Sequence, residues 1–352
     1  MALLSQTTPS GWPYRYYSYA AVLGMAGLGL GFPALAGRLL GPPLAMGMVL
    51  LGVAHGACDH LVMPAGGRMA TGWRYWLWFL VGYLGLAGAV GLLWWRWPAP
   101  AVGLFLVLTV WHWGSADAPA LCQGQPGLWL VHSVLRGLLI FAVPAWWWPA
   151  QTASVINGLL TFTGGQPVLA ATFAAGAAGL GLLTLVGHLA LWGWHARQQH
   201  GAALRTDILE TLLLAGLFVA LPPRLSVAVY FVFWHSLQHV LRLTSWLGYA
   251  VGQQRGRPAS PALLPRLAFF LKRAAPLLLL SCVALLVLGR LAATRLPDSE
   301  AWFSLALVVA SVVTLPHAVL VSTIMDAPFW RGLSRRPPGQ RGLRASSPAV
   351  PL

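Results

Sequence analysis

Apolar residues along this chain are grouped into long runs, which short segments containing proline, glycine and charge separate. A run of about 20 residues with little charge is long enough to cross a bilayer as an α-helix. Prolines at 98, 100, 222 and 223 break two of the longer stretches into neighbouring helices, unless each stretch is one kinked span. The pattern predicts about ten helices, over residues 16–35, 43–64, 73–97, 98–117, 127–149, 170–195, 206–223, 224–247, 266–291 and 299–326.

Composition indicates that these helices lie in a membrane. Of the 352 residues, 58% are hydrophobic and 8% are charged, and the mean hydropathy is +0.70. These values exclude a soluble domain and predict an all-α, polytopic transmembrane helical bundle with about ten spans. The three cysteines lie far apart without a Cys-x-x-Cys pair, so they predict neither a disulfide framework nor a zinc ribbon.

The positive charge predicts the orientation of the bundle. The formal net charge is +15, but the Lys and Arg residues lie between apolar runs, which indicates the anionic surface of membrane lipids as a partner and no nucleic acid. With the N-terminus inside, 16 of the 22 basic residues lie in inner loops and tails and 5 in outer loops, while Arg136 falls within a helix. This excess predicts an N-in, C-in topology.

Four histidines fall at one predicted depth in the membrane. Counted at about 1.5 Å per residue from the predicted outer ends of their helices, His55, His112, His235 and His239 lie about 16 to 22 Å down. His235 and His239 are four residues apart and share a helix face. Neutral imidazoles suit Fe, Cu, Zn or Ni, and the absence of a thiolate among them argues against structural zinc. Packing of helices through hydrogen-bonded histidines is the alternative.

His60 differs from His55, although both lie in the second predicted helix. Five residues apart on a regular helix, the two side chains point roughly 140° away from each other, so at most one should bind a shared ion. His60 lies about 26 Å down, below the other histidines, and this favours His55. By the same count His188 and His317 are also too deep, so we expect them to be supporting or interface residues.

Three of the seven acidic residues lie close to the histidine level, namely Asp59, Asp117 and Glu210. A metal-bound imidazole commonly donates its second N–H to a carboxylate, so these residues are candidates for that supporting role, as are His60 and His317. Solvation at helix ends is the alternative for the two aspartates. Aromatic residues near the histidines could line a pocket for a long apolar or conjugated substrate, or simply pack: Trp111, Trp113, Tyr230, Phe231, Phe233 and Trp234.

Four motifs together carry a resemblance to a known family. They are His55-Gly-Ala-Cys-Asp-His60, Trp111-His-Trp-Gly-Ser-Ala-Asp117, Tyr230-Phe-Val-Phe-Trp-His-Ser-Leu-Gln-His239 and Pro316-His317. In this order the chain resembles the Brp/Blh family of membrane β-carotene 15,15'-dioxygenases over about residues 40 to 326. It departs from the family's pattern at Cys58, where leucine is more common, and at the tryptophans beside His112.

The resemblance implies cleavage of the central double bond of β-carotene by O₂ into two molecules of retinal. It further implies a nonhaem Fe²⁺ ion bound by His55, His112, His235 and His239. Residues 1–330 would form the transmembrane catalytic domain, and 331–352 a disordered cytoplasmic tail. We expect a multi-pass protein of the cell membrane, such as a bacterial inner membrane, that could pass retinal to a retinal-binding rhodopsin. The alternatives are another histidine-ligated membrane oxygenase or desaturase, and a nonenzymatic metal or haem protein.

Overall fold

A computed structural model describes residues 12–62, 72–249 and 263–330 of the chain. Within these three ranges the chain is helical and has no β-strand, which confirms the all-α prediction. The predicted tail at 331–352 lies outside the described residues. The helices are α1 (Trp12–Gly31), α2 (Pro33–Leu39), α3 (Gly41–Val62), α4 (Trp73–Arg96), α5 (Pro98–Ala116), α6 (Pro126–Trp147), α7 (Pro149–Phe162), α8 (Ala170–Arg197), α9 (Gly201–Ala220), α10 (223–246), α11 (Leu263–Ala292), α12 (Ser299–Met325) and α13 (Ala327–Trp330).

Among the described residues, seven helices are long and apolar enough to cross a membrane, namely α3, α4, α5, α6, α8, α11 and α12. They confirm a multi-pass membrane protein but not the predicted count of about ten spans. Helices α1, α9 and α10 coincide with the three remaining predicted segments, and their crossing of the membrane stays a prediction, as does the N-in, C-in orientation. Helix α9 is more polar because it carries Arg205, Asp207 and Glu210.

Two features of the helix order bear on the prediction. Helix α5 begins at Pro98 and α10 at Pro223, so each of these prolines starts a separate helix, as their preference for the first helical position favours. Helix α7 was not predicted. Its 14 residues give it a length of about 21 Å, which is less than the hydrocarbon core of a bilayer, so it fell below the length of a spanning run.

Helix α10 lies at the centre of the bundle. Tyr230, Val232 and Trp234 are almost completely buried within it, and it packs against α1, α3 and α9. By contrast, α4 and α11 expose large apolar side chains such as Trp78 and Leu286 along most of their length. A helix that is buried all round belongs to the core, whereas exposed apolar faces belong against lipid. The central residues of α10 therefore sit where they are shielded from both water and lipid.

Helices α5 and α6 touch through their backbones. A Cβ added at Gly114 would come within 1.8 Å of the carbonyl oxygen of Ser133, and one added at Gly137 would come within 2.0 Å of the carbonyl oxygen of Val110. Only glycine permits so close an approach of two helices, as small residues do elsewhere in membrane bundles. Because Gly114 follows His112 by two residues, this contact fixes the position of that histidine relative to α6.

Three helices contain a π-helical turn next to a histidine. The turns are Met48–Val53 in α3, Tyr230–Ser236 in α10 and Val321–Met325 in α12. His55 follows the first turn, His235 lies within the second, and His317 precedes the third. Such turns are rare and are found mostly at functional sites. Their common location indicates that the helices depart from regular geometry in order to bring these side chains together.

Candidate metal centre

Five histidines from four helices form one buried cluster, which we call the histidine centre. Its members are His55 of α3, His112 of α5, His235 and His239 of α10, and His317 of α12, and each is at least 95% buried. The ring centroids of His55 and His239 are 5.0 Å apart, and those of His112 and His235 are also 5.0 Å apart. The structure thus brings together all four histidines that were predicted at one depth.

His317 belongs to the same cluster. Its ring centroid is 4.8 Å from that of His55 and 4.9 Å from that of His112. One nitrogen from each of these three rings lies within 4.8 Å of the others, a spacing compatible with a shared metal ion. The count of residues from the predicted helix start put His317 deeper than this level. Such a count measures depth only when the helices begin at one level and run with the same tilt, so it could not exclude His317 from the cluster.

Several ring nitrogens of the centre lack a partner. Both nitrogens of His112 and of His235, and Nε2 of His317, are buried without a hydrogen bond to any part of the chain that the structure describes. A buried polar atom left unsatisfied is costly and uncommon, so five in one cluster call for an explanation. A transition-metal ion coordinated by imidazoles would satisfy them. The residues present therefore fit a bound metal.

Two of the histidines are held by hydrogen bonds from their Nδ1 atoms. Nδ1–H of His55 donates to the carbonyl oxygen of Leu51 over 2.8 Å, and Nδ1–H of His317 donates to the carboxylate of Asp59 over 2.8 and 2.9 Å. The hydroxyl of Tyr83 also donates to Asp59 over 2.9 Å. Such outer hydrogen bonds fix ring orientation and leave Nε2 free to face a metal. Asp59 thus contacts a histidine of the centre, and its role as a supporting carboxylate stays a prediction.

His239 has a different neighbour. Nη2 of Arg242 donates to its Nδ1 over 3.2 Å, and Nη1 of Arg242 lies 3.4 Å from the carboxylate of Asp326. Asp326 in turn accepts a hydrogen bond from Ser115 over 3.1 Å and is fully buried. Sequence reasoning missed Arg242 and Asp326. The signal available for Asp326 was its rarity, since it is one of only seven acidic residues and directly follows an apolar run.

The remaining polar candidates lie outside the histidine centre. Asp117 accepts hydrogen bonds from the indole N–H of Trp234 over 3.0 and 3.1 Å. Within the described ranges, neither Asp117 nor Glu210 bonds to a histidine of the centre. The ring of His60 packs 5.2 Å from Trp76, away from the other histidines. Helix α3 is interrupted by a turn at residues 57 and 58, so the expected regularity between His55 and His60 is wrong, although the two rings do diverge.

Glu210 belongs to a second buried polar cluster, which we call the arginine–carboxylate network. It forms ion pairs with Arg15 and Arg136 and accepts a hydrogen bond from the hydroxyl of Tyr19 over 2.6 Å. Asp207 accepts a hydrogen bond from the indole of Trp192 over 2.6 Å. We define the network by eight residues, namely Arg15, Tyr19, His132, Arg136, Trp192, His195, Asp207 and Glu210. It links α1, α6, α8 and α9 within the bundle.

Two of the six aromatic candidates border the histidine centre. The ring centroid of Trp113 is 5.6 Å from that of His235, and Phe231 lies 6.0 Å from His235 and 6.3 Å from His55. The other four lie in packing positions. Trp111 donates to Ser322 and packs on Trp129, Phe233 lies against the apolar core, and Tyr230 and Trp234 are buried on the side of α10 that meets Phe218 and Tyr19.

These features define a class, a multi-pass helical membrane protein with a buried all-imidazole site that is compatible with a metal. A family model for beta-carotene 15,15'-dioxygenase matches residues 46–326. The probable beta-carotene 15,15'-dioxygenase Blh of Halobacterium salinarum is 32% identical over 315 residues, covering 84% of this chain and 88% of the relative. The chain therefore belongs to the β-carotene 15,15'-dioxygenase family and is a dioxygenase. No solved structure matches it significantly.

Proposed function

We propose that this enzyme uses O₂ to cleave the central double bond of β-carotene and that the products are two molecules of all-trans-retinal. The observation that carries the proposal is the convergence of five buried imidazoles inside a chain of this family, with five ring nitrogens that have no hydrogen-bond partner in the described part of the chain. The site offers no side-chain nucleophile among the ring contacts of the centre, so chemistry on an apolar polyene would depend on a bound metal and O₂.

The metal would be a ferrous ion. The motifs that carry the family resemblance assign His55, His112, His235 and His239 as its ligands, and all four rings lie in the histidine centre. Neutral imidazoles would leave the ion its full positive charge, and the chemistry it would supply when bound is the activation of O₂. Among the described residues there is one group of three or more His, Cys, Asp or Glu side chains close enough to share an ion. This supports one ion per chain rather than the two of a di-iron desaturase.

The protein's own contribution would be to position the substrate and to exclude water. Trp113 and Phe231 present aromatic rings beside His235, where they can contact the polyene on its flat face. Val232 and Trp234 seal the centre of α10 from solvent. Holding the double bond beside the site supplies much of the acceleration, and a dry pocket protects reactive species from hydrolysis.

The substrate and product would move through the membrane. β-Carotene is fully apolar, and the seven membrane-capable helices in the described chain support a position in the bilayer, where such a molecule dissolves. We propose the cell membrane, and specifically a bacterial inner membrane, as its location, with lipids around its apolar faces. Retinal would leave into the bilayer or pass to a retinal-binding rhodopsin.

The test is expression of the full chain in cells that accumulate β-carotene. We expect loss of carotene and the appearance of two retinal molecules per carotene consumed, both measured by chromatography. His235→Ala is the matched inactive control. Purified enzyme should contain about one iron per chain and no Soret band. Unchanged carotene in a well-expressed, iron-replete preparation would contradict the proposal, and about two irons per chain would favour the desaturase alternative.

A further inference from the structure

His317 has three properties at once, and none of the four ligands assigned by the motifs has all three. Its Nδ1–H is held by both oxygens of Asp59, its Nε2 is buried without a partner in the described chain, and its ring lies within 5 Å of those of His55 and His112. An ionised carboxylate has no proton to donate and can only accept hydrogen bonds. Asp59 therefore keeps the ring proton of His317 on Nδ1. The lone pair on Nε2 is then available for coordination.

His239 has the opposite arrangement in this structure. Arg242 can only donate, so Nδ1 of His239 accepts, and the proton of the neutral ring is on Nε2. For His239 to bind the metal through Nε2 as well, that proton would have to move to Nδ1 and the hydrogen bond from Arg242 would have to be given up. Of the two rings, His317 is therefore the one whose hydrogen bonds already prepare it as a ligand.

We propose that His317 is a direct ligand of the metal, that Asp59 aims it, and that Tyr83 fixes Asp59. The proposal deepens the proposed function and rests on a transition metal being bound at the histidine centre. It places a divalent ion such as Fe²⁺ against Nε2 of His317, together with His55 and His112, whose nitrogens share the 4.8 Å spacing.

The positioning chain is built from three helices. Asp59 follows His55 by four residues in α3, beyond the turn at residues 57 and 58, so one helix supplies both a ring of the centre and the carboxylate that orients another ring from α12. Tyr83 reaches Asp59 from α4. Asp59 is 2% exposed, which means that water does not compete for its oxygens. The alternative is a His–Asp pair that only packs α3 against α12.

The experiment measures metal binding rather than carotene cleavage. Full-length protein in nanodiscs is stripped of metal and titrated anaerobically with Co²⁺ and with Fe²⁺, and the number of bound imidazoles is obtained by X-ray absorption. His317→Ala should bind with one imidazole fewer and should not retain stoichiometric metal after desalting. Asp59→Asn should lower metal affinity by about 10-fold to 100-fold, and Tyr83→Phe should lower it by less, because each loosens the ring without deleting it.

Two controls separate ligation from packing. Tyr75 also lies in α4 and donates to the backbone carbonyl of His60 over 2.7 Å, so Tyr75→Phe removes a comparable bond away from the centre. His60→Ala removes a histidine one residue from Asp59. Both variants should keep wild-type metal affinity and imidazole number.

The proposal is overturned if folded His317→Ala retains the wild-type imidazole number and affinity. Should that variant fail to fold, Tyr83→Phe decides the matter, since it removes one oxygen atom only. Affinity equal to that of Tyr75→Phe would also overturn the proposal. Failure of the proposed function is distinguishable, because the wild type would then bind metal through His317 and leave β-carotene intact.

Discussion

The histidine centre and the arginine–carboxylate network are both buried and polar, but they differ in how far their atoms are satisfied. In the network, each carboxylate has close partners, and the atoms of His132 and Arg136 that lack a hydrogen bond lie 3.7 and 3.8 Å from Asp207. In the histidine centre, both nitrogens of His112 and His235 face neighbours that are themselves imidazoles. A network whose buried charges are paired indicates a structural role, whereas converging unsatisfied nitrogens indicate a site for a ligand.

The largest expected effect is in the histidine centre. His235→Ala should abolish both metal binding and retinal formation, because it deletes a donor atom that no neighbour replaces. It should leave thermal unfolding of the metal-free protein little changed, since His235 has no hydrogen bond to lose within the described chain. Metal content, cleavage and melting are measured on the same preparation. Normal metal content with normal cleavage would remove His235 from the site.

The reverse pattern is expected in the network. Arg136→Met leaves Glu210 and Asp207 buried with fewer cationic partners, which should destabilise the protein by about 3 to 5 kcal/mol. The fraction that folds should bind metal at the wild-type ratio. Arg224→Ala is the control, because its pair with Glu300 is largely exposed and should contribute little. If folded Arg136→Met lost its metal without losing stability, the network would not have the purely structural role that separates it from the histidine centre.

Glu210 shows which contacts of the buried polar residues could not be predicted from the sequence. Its partners Arg15 and Arg136 are 195 and 74 residues away, so no local pattern reveals them, and sequence analysis assigned Glu210 to the histidines by depth alone. The helices were predictable because each apolar run ends at proline, glycine or charge, and most predicted bounds lie within a few residues of the observed ones. The four aligned histidines were also predictable. His317 was not, because tilt and starting level are properties of the packed bundle.

A smaller effect is expected where α5 touches α6. Gly114→Ala would force the two backbones apart, and since His112 is two residues away, it should weaken metal binding as well as stability. Gly103→Ala, in the same helix but with open space around the added Cβ, is the matched control and should be neutral or slightly stabilising. Unfolding and metal titration of both variants provide the comparison. A neutral Gly114→Ala would show that the contact does not position His112.

The smallest effect is expected at the aromatic border. Trp113→Phe keeps a ring beside His235 but reduces its area, so metal content should be unchanged while the rate of cleavage changes by a few-fold. Trp111→Phe is the control, because Trp111 packs on Trp129 instead. Steady-state kinetics with β-carotene in detergent give the comparison. Equal rates in both variants and the wild type would assign Trp113 to packing.

The π-helical turn in α10 makes the length of this stretch part of its chemistry. A π-helical turn holds more residues than an ordinary helical turn, so removing one residue between Val229 and His235 would allow a regular α-helix to form while the segments on either side keep nearly the same phase. The side chains inside the turn would take new directions, among them Phe231 at the border of the centre and the buried Tyr230. Residues in this helix can therefore be exchanged one for one, but a chimera or redesign that gains or loses a single position here changes which side chains face the histidine centre.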